Sequence, residues 1–170
     1  MTEGHLERYR DVLAASVVFE GLGLADLTTV MARCELVEVD AGEDLLEEGV
    51  VGRGLWIVLA GEVEVFLPQR SMGPVRRDTR VRLNVLGPGR CLGEYGLIDR
   101  RPSSASALAL TPARLSFLAH EDFRAIADAN DRVGKVMYLN LLRFLVTRLR
   151  SKDQELDLVL LFDEAARTRR

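Results

Sequence analysis

The chain has little sulfur, little imidazole and no long apolar run, and each shortage removes a class of function. Cys34 and Cys91 are its two cysteines. They lack the C-x-x-C spacing of a redox pair or zinc motif, so both are expected as reduced, buried thiols. The two histidines, His5 and His120, stand at opposite parts of the chain, and a histidine-rich metal centre cannot be assembled from them. No stretch approaches the about 18 uninterrupted apolar residues of a membrane span. The opening MTEGHLERYRD mixes both charges where a signal peptide needs an apolar segment. The expected location is therefore the cytoplasm, without membrane attachment. An excess of positive charge is missing too: 23 Lys and Arg face 26 Asp and Glu, a net charge of -3, which supplies no overall drive toward nucleic acid. Nucleophile-elbow, P-loop and metal motifs do not occur. The expectation is a non-enzymatic protein with no resident cofactor.

What is present is a globular composition, 48% hydrophobic and 29% charged over 170 residues. That length suits one domain across 1–170, with 131–170 as a C-terminal helical region. Leu6, Tyr9, Leu13 and Val17, then Leu27, Val30 and Met31, recur at helical spacing and predict two short helices joined at Gly21 to Gly23. LVEVDAGEDLLEEG reads as short strands between turns at Asp40 to Gly42 and at Glu48 and Gly49. In GLWIVLAGEVEVFL, Leu55, Ile57 and Leu59 alternate with Trp56 and Val58, and Val63 and Val65 alternate with Glu62 and Glu64; Gly61 reads as the hairpin between them, and Trp56 as core. PQRSMGPVRRDT is a projecting loop, and the basic run Arg76, Arg77, Arg80 and Arg82 reads as a solvated hairpin tip. Strand periodicity resumes at Val81, Leu83 and Val85. Glycines 87, 89, 93 and 96 suit tight turns and close backbone approach. SASALALTPARLSFLA adds two strands around Thr111 and Pro112. About eight short strands at this turn spacing indicate an antiparallel sandwich or roll.

From Glu121 the periodicity is helical. Phe123, Ile126 and Ala127 form one stripe, Asn130 and Asp131 are capping residues, and a much longer helix follows from Val133. That helix carries two stripes. Leu142, Leu145, Leu149, Leu156 and Val159 follow a heptad seam with Lys152 in its vacant slot, and Met137, Leu141 and Phe144 lie alongside. Two stripes need two surfaces to pack on: the sheets of the same chain and the same helix of a second chain, which gives a homodimer. The competing arrangement folds the helix back along its own roll, with LDLVLLFD as extra core. The tail ARTRR reads as a frayed end.

The order of these segments resembles the cyclic nucleotide-binding domain family, which includes bacterial catabolite-activator-type regulators and kinase regulatory subunits. The resemblance covers about Phe19 to Arg150 and rests on VFEGLGLADL, AGEDLLEEG, LWIVLAGEVEVF and LGPGRCLGEYGLIDRRP in that order. It implies a mainly β fold: an eight-stranded antiparallel β-roll, N-terminal helices and a long C-terminal helix, with a phosphate-binding cassette between two strands. The family cassette reads roughly G-E-x-[AG]-L-x-x-x-x-P-R-[AS]-A. Gly93, Glu94, Gly96, Leu97, Pro102, Ser104 and Ala105 match it. The resemblance then implies a ligand site of Gly93, Glu94, Tyr95, Gly96, Arg101, Ser103, Ser104 and Ala105, with Leu83 and Leu86 on the base side or in the core. Cyclic AMP or cyclic GMP is the implied ligand. Glu94 would either accept a hydrogen bond from a ribose hydroxyl or cap neighbouring amides.

The departure falls at Ser103, where the family places the arginine that forks onto the cyclic phosphate. A contact of that kind contributes about 2–5 kcal/mol when its loss leaves a charge unpaired, or about 30-fold to a few thousand-fold in affinity. Compensating cations are Arg101, biased to an extended conformation by Pro102, and Arg100, Arg80 and Arg82. The expected function is a regulatory module that binds a cyclic nucleotide weakly or not at all and acts through its C-terminal helices on an unidentified protein partner. The alternative is a ligand-independent dimerisation module of the same fold. Family members that bind DNA append a helix-turn-helix after the long helix, and the few residues after Leu149 leave no room for one, so no direct DNA binding is expected.

Overall fold

The computed structural model describes residues 6–70 and 76–168, with side chains described as far as Asp157 and at Leu160 and Leu161. Readings that fall on residues 1–5, on 71–75 of the projecting loop, on the side chain of Val159 and on the side chains of the tail lie outside the described residues. Two short helices, α1 (Arg10–Ala14) and α2 (Leu24–Met31), precede strands β1 (Glu35–Val39), β2 (Asp44–Leu46), β3 (Gly54–Ala60), β4 (Val63–Leu67), β5 (Val81–Leu86) and β6 (Cys91–Leu92). A six-residue helix, α3 (Glu94–Asp99), interrupts the β region before β7 (Ser106–Ala109) and β8 (Ala113–Ala119). Helices α4 (His120–Ala129) and α5 (Asp131–Thr168) follow.

The eight strands form two four-stranded sheets, ordered β1-β8-β3-β6 and β2-β7-β4-β5, with every pairing antiparallel. The expected roll is therefore present. Strands adjacent in sequence mostly belong to opposite sheets, and this corrects one expectation. β3 and β4 do not form a hairpin at Gly61; the chain crosses there from one sheet to the other, and β4 pairs instead with β5 and β7. Period-2 alternation tells which face of a strand is apolar but not which strand lies beside it.

Packing explains why β3 is the most apolar segment. Leu55, Ile57 and Leu59 face the helices and join a core with Leu13, Phe19, Val30, Phe123, Met137 and Leu141. Trp56 and Val58 point the other way, into the inter-sheet core of Val63, Leu92, Ala107, Leu115 and Phe117. A strand covered on both faces reads as an unbroken apolar run. Trp56 stacks on Phe117 with ring centroids 4.4 Å apart, so the core reading of the single tryptophan holds. Cys34 and Cys91 are free and buried, and burial pushes their thiols up to about 11 and about 12. Both thiols are therefore held in the protonated, less nucleophilic form at neutral pH.

The basic run is a solvated tip only in part: Arg76, Arg80 and Arg82 are exposed, and Arg77 is not. Arg77 is largely buried and donates to Glu48 Oε1 at 2.5 Å, while Arg80 and Arg82 both bind the buried carboxylate of Glu64. Arg80 also lies 3.6 Å from the centroid of the Phe66 ring. Arg76, paired with Asp78 and 74% exposed, and Arg82, 60% exposed, keep the expected solvated character. The sequence does not show that Glu48 and Glu64 meet the arginines, because those carboxylates arrive from the turn after β2 and from β4.

Helix α5 is aimed by contacts near its start. Asn130 Oδ1 accepts from the Arg132 and Val133 amides at 3.2 and 3.3 Å, as expected of a capping residue. Buried Asn140 donates to the Val18 and Glu20 carbonyls at 3.2 and 2.7 Å, tying the helix to the segment before α2. Val133, Met137 and Leu141 are buried against the roll. Leu139, Leu142, Val146, Leu149, Leu156 and Leu160 are exposed on the far side. This outward series differs from the heptad read in the sequence: Leu145 is half-buried, and the polar interruption is Asp153 rather than Lys152. Both series have heptad spacing, and only packing on the roll decides which one faces outward.

Gly134 sets the approach of α5 to α4. A Cβ there would lie 2.8 Å from the Ala127 carbonyl oxygen, a backbone atom that cannot swing aside. Alanine would gain about 1 kcal/mol in helix propensity, but prying two packed helices apart costs about 1–3 kcal/mol. Gly134→Ala is therefore expected to destabilise the protein by up to about 2 kcal/mol in urea denaturation.

Candidate functional site

The cassette begins where β6 ends. Gly93 has φ +83°, and a Cβ on it would meet the Gly54 carbonyl at 2.5 Å; only glycine makes this turn against β3. The turn launches α3, which buries Leu97 in the core and closes at Arg100 in a left-handed conformation, φ 54°. The Arg101 amide then donates to Asp99 Oδ1 at 3.0 Å. Pro102 bridges to Val51. Both backbone groups of Ser103 are taken: its amide donates to the Val50 carbonyl at 2.8 Å, and its carbonyl accepts from the Gly49 amide at 2.9 Å. The segment that lacks the family arginine is thus pinned at Ser103 to the turn after β2.

These elements form one wall of a cavity of about 670 Å³. Sheet β2-β7-β4-β5 forms a second wall through Leu46, Val65, Leu83, Leu86 and Ala107. All ten residues singled out in the sequence line it: Leu83, Leu86, Gly93, Glu94, Tyr95, Gly96, Arg101, Ser103, Ser104 and Ala105. Leu83, at 47% exposure, belongs to the cavity rather than the core, whereas Leu86 lines the cavity and also packs on the inter-sheet core. Of the possible substitutes for the missing cation, Arg80 and Arg82 are committed to Glu64. Arg101 lines the cavity and makes no ion pair among the described residues.

The third wall was not legible in the sequence. Phe144, Thr147, Arg148, Ser151 and Lys152 of α5 close the side opposite the cassette. Arg148 donates Nη1 to Glu94 Oε1, and its guanidinium lies 5.5 Å from the ring centroids of both Tyr95 and Phe144. Glu94 is 2% exposed. Burial pushes its carboxyl above the ordinary value, opposed by the charge of Arg148 and by hydrogen bonds from its own amide and from Arg148. The one signal that could have located Arg148 is the stripe Met137, Leu141 and Phe144, which continues one turn later at position 148.

A cavity with a short helix, a buried carboxylate and neutral hydroxyls on one wall, apolar strand residues on another and a cationic helix on the third suits a small ligand with both polar and apolar faces. Among the described residues no helix is long and apolar enough to cross a membrane.

Comparison with known proteins agrees with this architecture. Residues 36–130 match the family model of the cyclic nucleotide-binding domain. The chain is 33% identical over 153 residues to the cyclic AMP receptor protein of Thermus thermophilus, covering 90% of this chain and 66% of that one. It is 26% identical to a cAMP-dependent protein kinase regulatory subunit of Eremothecium gossypii, covering 84% of this chain and 29% of that one. Among solved structures, the catabolite activator protein of Thermus thermophilus superposes with a TM-score of 0.72 at 30% identity, over 85% of this chain and 63% of that one. The chain thus spans about two thirds or less of the length of these relatives. The family match runs from β1 through α4 and takes in the whole cassette, and on that span the chain belongs to the cyclic nucleotide-binding domain family.

Proposed function

We propose that the chain is a non-enzymatic regulatory module that binds a cyclic nucleotide weakly or not at all and acts through its C-terminal helices. One observation carries this reading: the cavity is walled by the cassette on one side and by α5 on the other. Anything that enters it touches the helix that leads out of the roll, so occupancy and helix position are energetically linked. The weakness follows from Ser103. Its hydroxyl can donate one neutral hydrogen bond where an arginine fork would place a charge and two donors. The relative from Thermus thermophilus is a cyclic AMP receptor protein by name, so cyclic AMP and cyclic GMP are the ligands to test.

A second reading, a ligand-independent dimerisation module, is favoured by the outward face of α5. Leu142, Leu149 and Leu156 recur every seven residues, with Leu139, Val146 and Leu160 in the companion positions of the heptad and Asp153 in the remaining one. An apolar seam at heptad spacing with one polar position suits a coiled coil with a second copy of the chain. The two readings are compatible, since one concerns the inner face of the helix and the other its outer face.

Isothermal titration of the parent chain and of Ser103→Arg with cyclic AMP and cyclic GMP tests the first. The variant is expected to bind about 30-fold or more tightly than the parent; no heat from either protein at millimolar nucleotide excludes the sensor reading. For the second, light scattering of Leu149→Glu is expected to show dimer dissociation at least about tenfold weaker in affinity, because two like charges face each other in the seam. A parent chain that is monomeric throughout the concentration range removes the dimer reading.

A further inference from the structure

The charges around the cavity are unequal. Among the described residues its lining carries one carboxylate, Glu94, and four cations, Arg90, Arg101, Arg148 and Lys152, on a chain whose net charge is -3. Two of the four are occupied: Arg148 pairs with Glu94, and Lys152 with Glu155. Arg90 and Arg101 make no ion pair among the described residues. Two unmatched cations on a cavity whose other lining is neutral favour a ligand that brings negative charge of its own.

Their places in the fold say how that charge is distributed. Arg101 precedes Pro102, which bridges to Val51 ahead of β3. The Arg90 carbonyl accepts from the Val58 amide at 2.9 Å, toward the other end of β3. Val51 and Val58 are up to about 23 Å apart at the rise of an extended strand, so the two guanidiniums enter the cavity from opposite ends and one phosphate does not meet both. The cavity also continues past the cassette to Pro88 and to Ala15 and Val17 after α1. Between the two cations the sheet wall of Leu46, Val65, Leu83 and Ala107 is apolar, a surface for the faces of bases.

We propose that the cavity takes a dinucleotide, a ligand with two phosphate charges one nucleoside apart, held at one charge by Arg101 and at the other by Arg90. The inference rests on the reading of this cavity as the ligand site, and it changes the class of ligand. It also gives Ser103 a context: a site that divides two charges between two separate arginines does not depend on a single fork. A cyclic mononucleotide carries one charge and engages one of the two arginines, which accords with weak binding.

Isothermal titration of the parent chain with cyclic di-AMP, cyclic di-GMP and the linear dinucleotide pApA, beside cyclic AMP and cyclic GMP, tests the proposal. At least one dinucleotide is expected to bind about tenfold or more tightly than either mononucleotide, because a second charge-assisted contact is added. The cyclic and linear arms tell which form is taken. Arg90→Ala and Arg101→Ala are each expected to weaken that dinucleotide about tenfold or more. Arg124→Ala removes an equal charge from α4, outside the cavity lining, and is expected to stay within about threefold of the parent. All three arginines are exposed, so the variants are expected to keep the parent's circular dichroism spectrum. Dinucleotides that bind no more tightly than mononucleotides, or a loss in Arg124→Ala equal to that in Arg90→Ala, overturn the proposal. Its failure is distinguishable from failure of the mononucleotide reading. Cyclic AMP binding to Ser103→Arg with no heat from any dinucleotide removes the dinucleotide alone. Dinucleotide binding by the parent, with parent and Ser103→Arg both silent to cyclic AMP and cyclic GMP, removes the mononucleotide alone.

Discussion

A carboxylate stripped of nearly all its water must take up a proton or keep a cation against it, because the cost of leaving it charged and alone is several kcal/mol. Glu94 is in that position. Its burial follows from the local chain path: Gly93 turns tightly against β3, α3 starts at once, and the first side chain of that helix is driven into the cavity. The cation then has to come from elsewhere in the fold. It comes from α5, and the direction of that helix is consequently tied to the chemistry of the cassette. Asn140, bound to two carbonyls before α2, and Gly134, packed on α4, fix the same helix from its other end.

The roll is the rigid part of this arrangement. β3 is buried on both faces, with helices on one side and the inter-sheet core on the other, and this makes it a fixed backing for the Gly93 turn. Sheet β2-β7-β4-β5 presents small and apolar side chains to the cavity, and its outer face is covered by the Glu64, Arg80 and Arg82 cluster. Charge is thus spent on two different surfaces of the molecule. The arginines of the basic run stabilise the outside of the sheet, and the arginine that meets Glu94 in the cavity sits more than sixty positions later on a helix.

Much of the site was legible because it is local. The cassette residues between Gly93 and Ala105 are contiguous, so the family resemblance could locate them; glycine spacing by itself gives only tight turns there. Leu83 and Leu86 also line the cavity, as the resemblance implied; three positions apart on β5, they are not put on one face by strand alternation. The hairpin at Gly61 failed for the opposite reason: pairing is a property of two strands, and the partners of β4 lie in segments far from β3. The solvated reading failed likewise at Arg77, and for exposed Arg80 and Arg82 it missed the counterion, as the carboxylates come from the turn after β2 and from β4.

The amino-acid sequence by itself determined the fold class, the eight strands and flanking helices, the place of the cassette and the absence of an arginine at Ser103. Each of these depends on neighbours in the chain or on a recurring period. Tertiary structure alone decided which strands pair, which of two heptad series on α5 faces outward, and that Arg148 meets Glu94. A helix offers every face to the sequence equally, and only its angle of approach, set by packing at Gly134 and Asn140, determines which side chain arrives at a carboxylate 54 residues away.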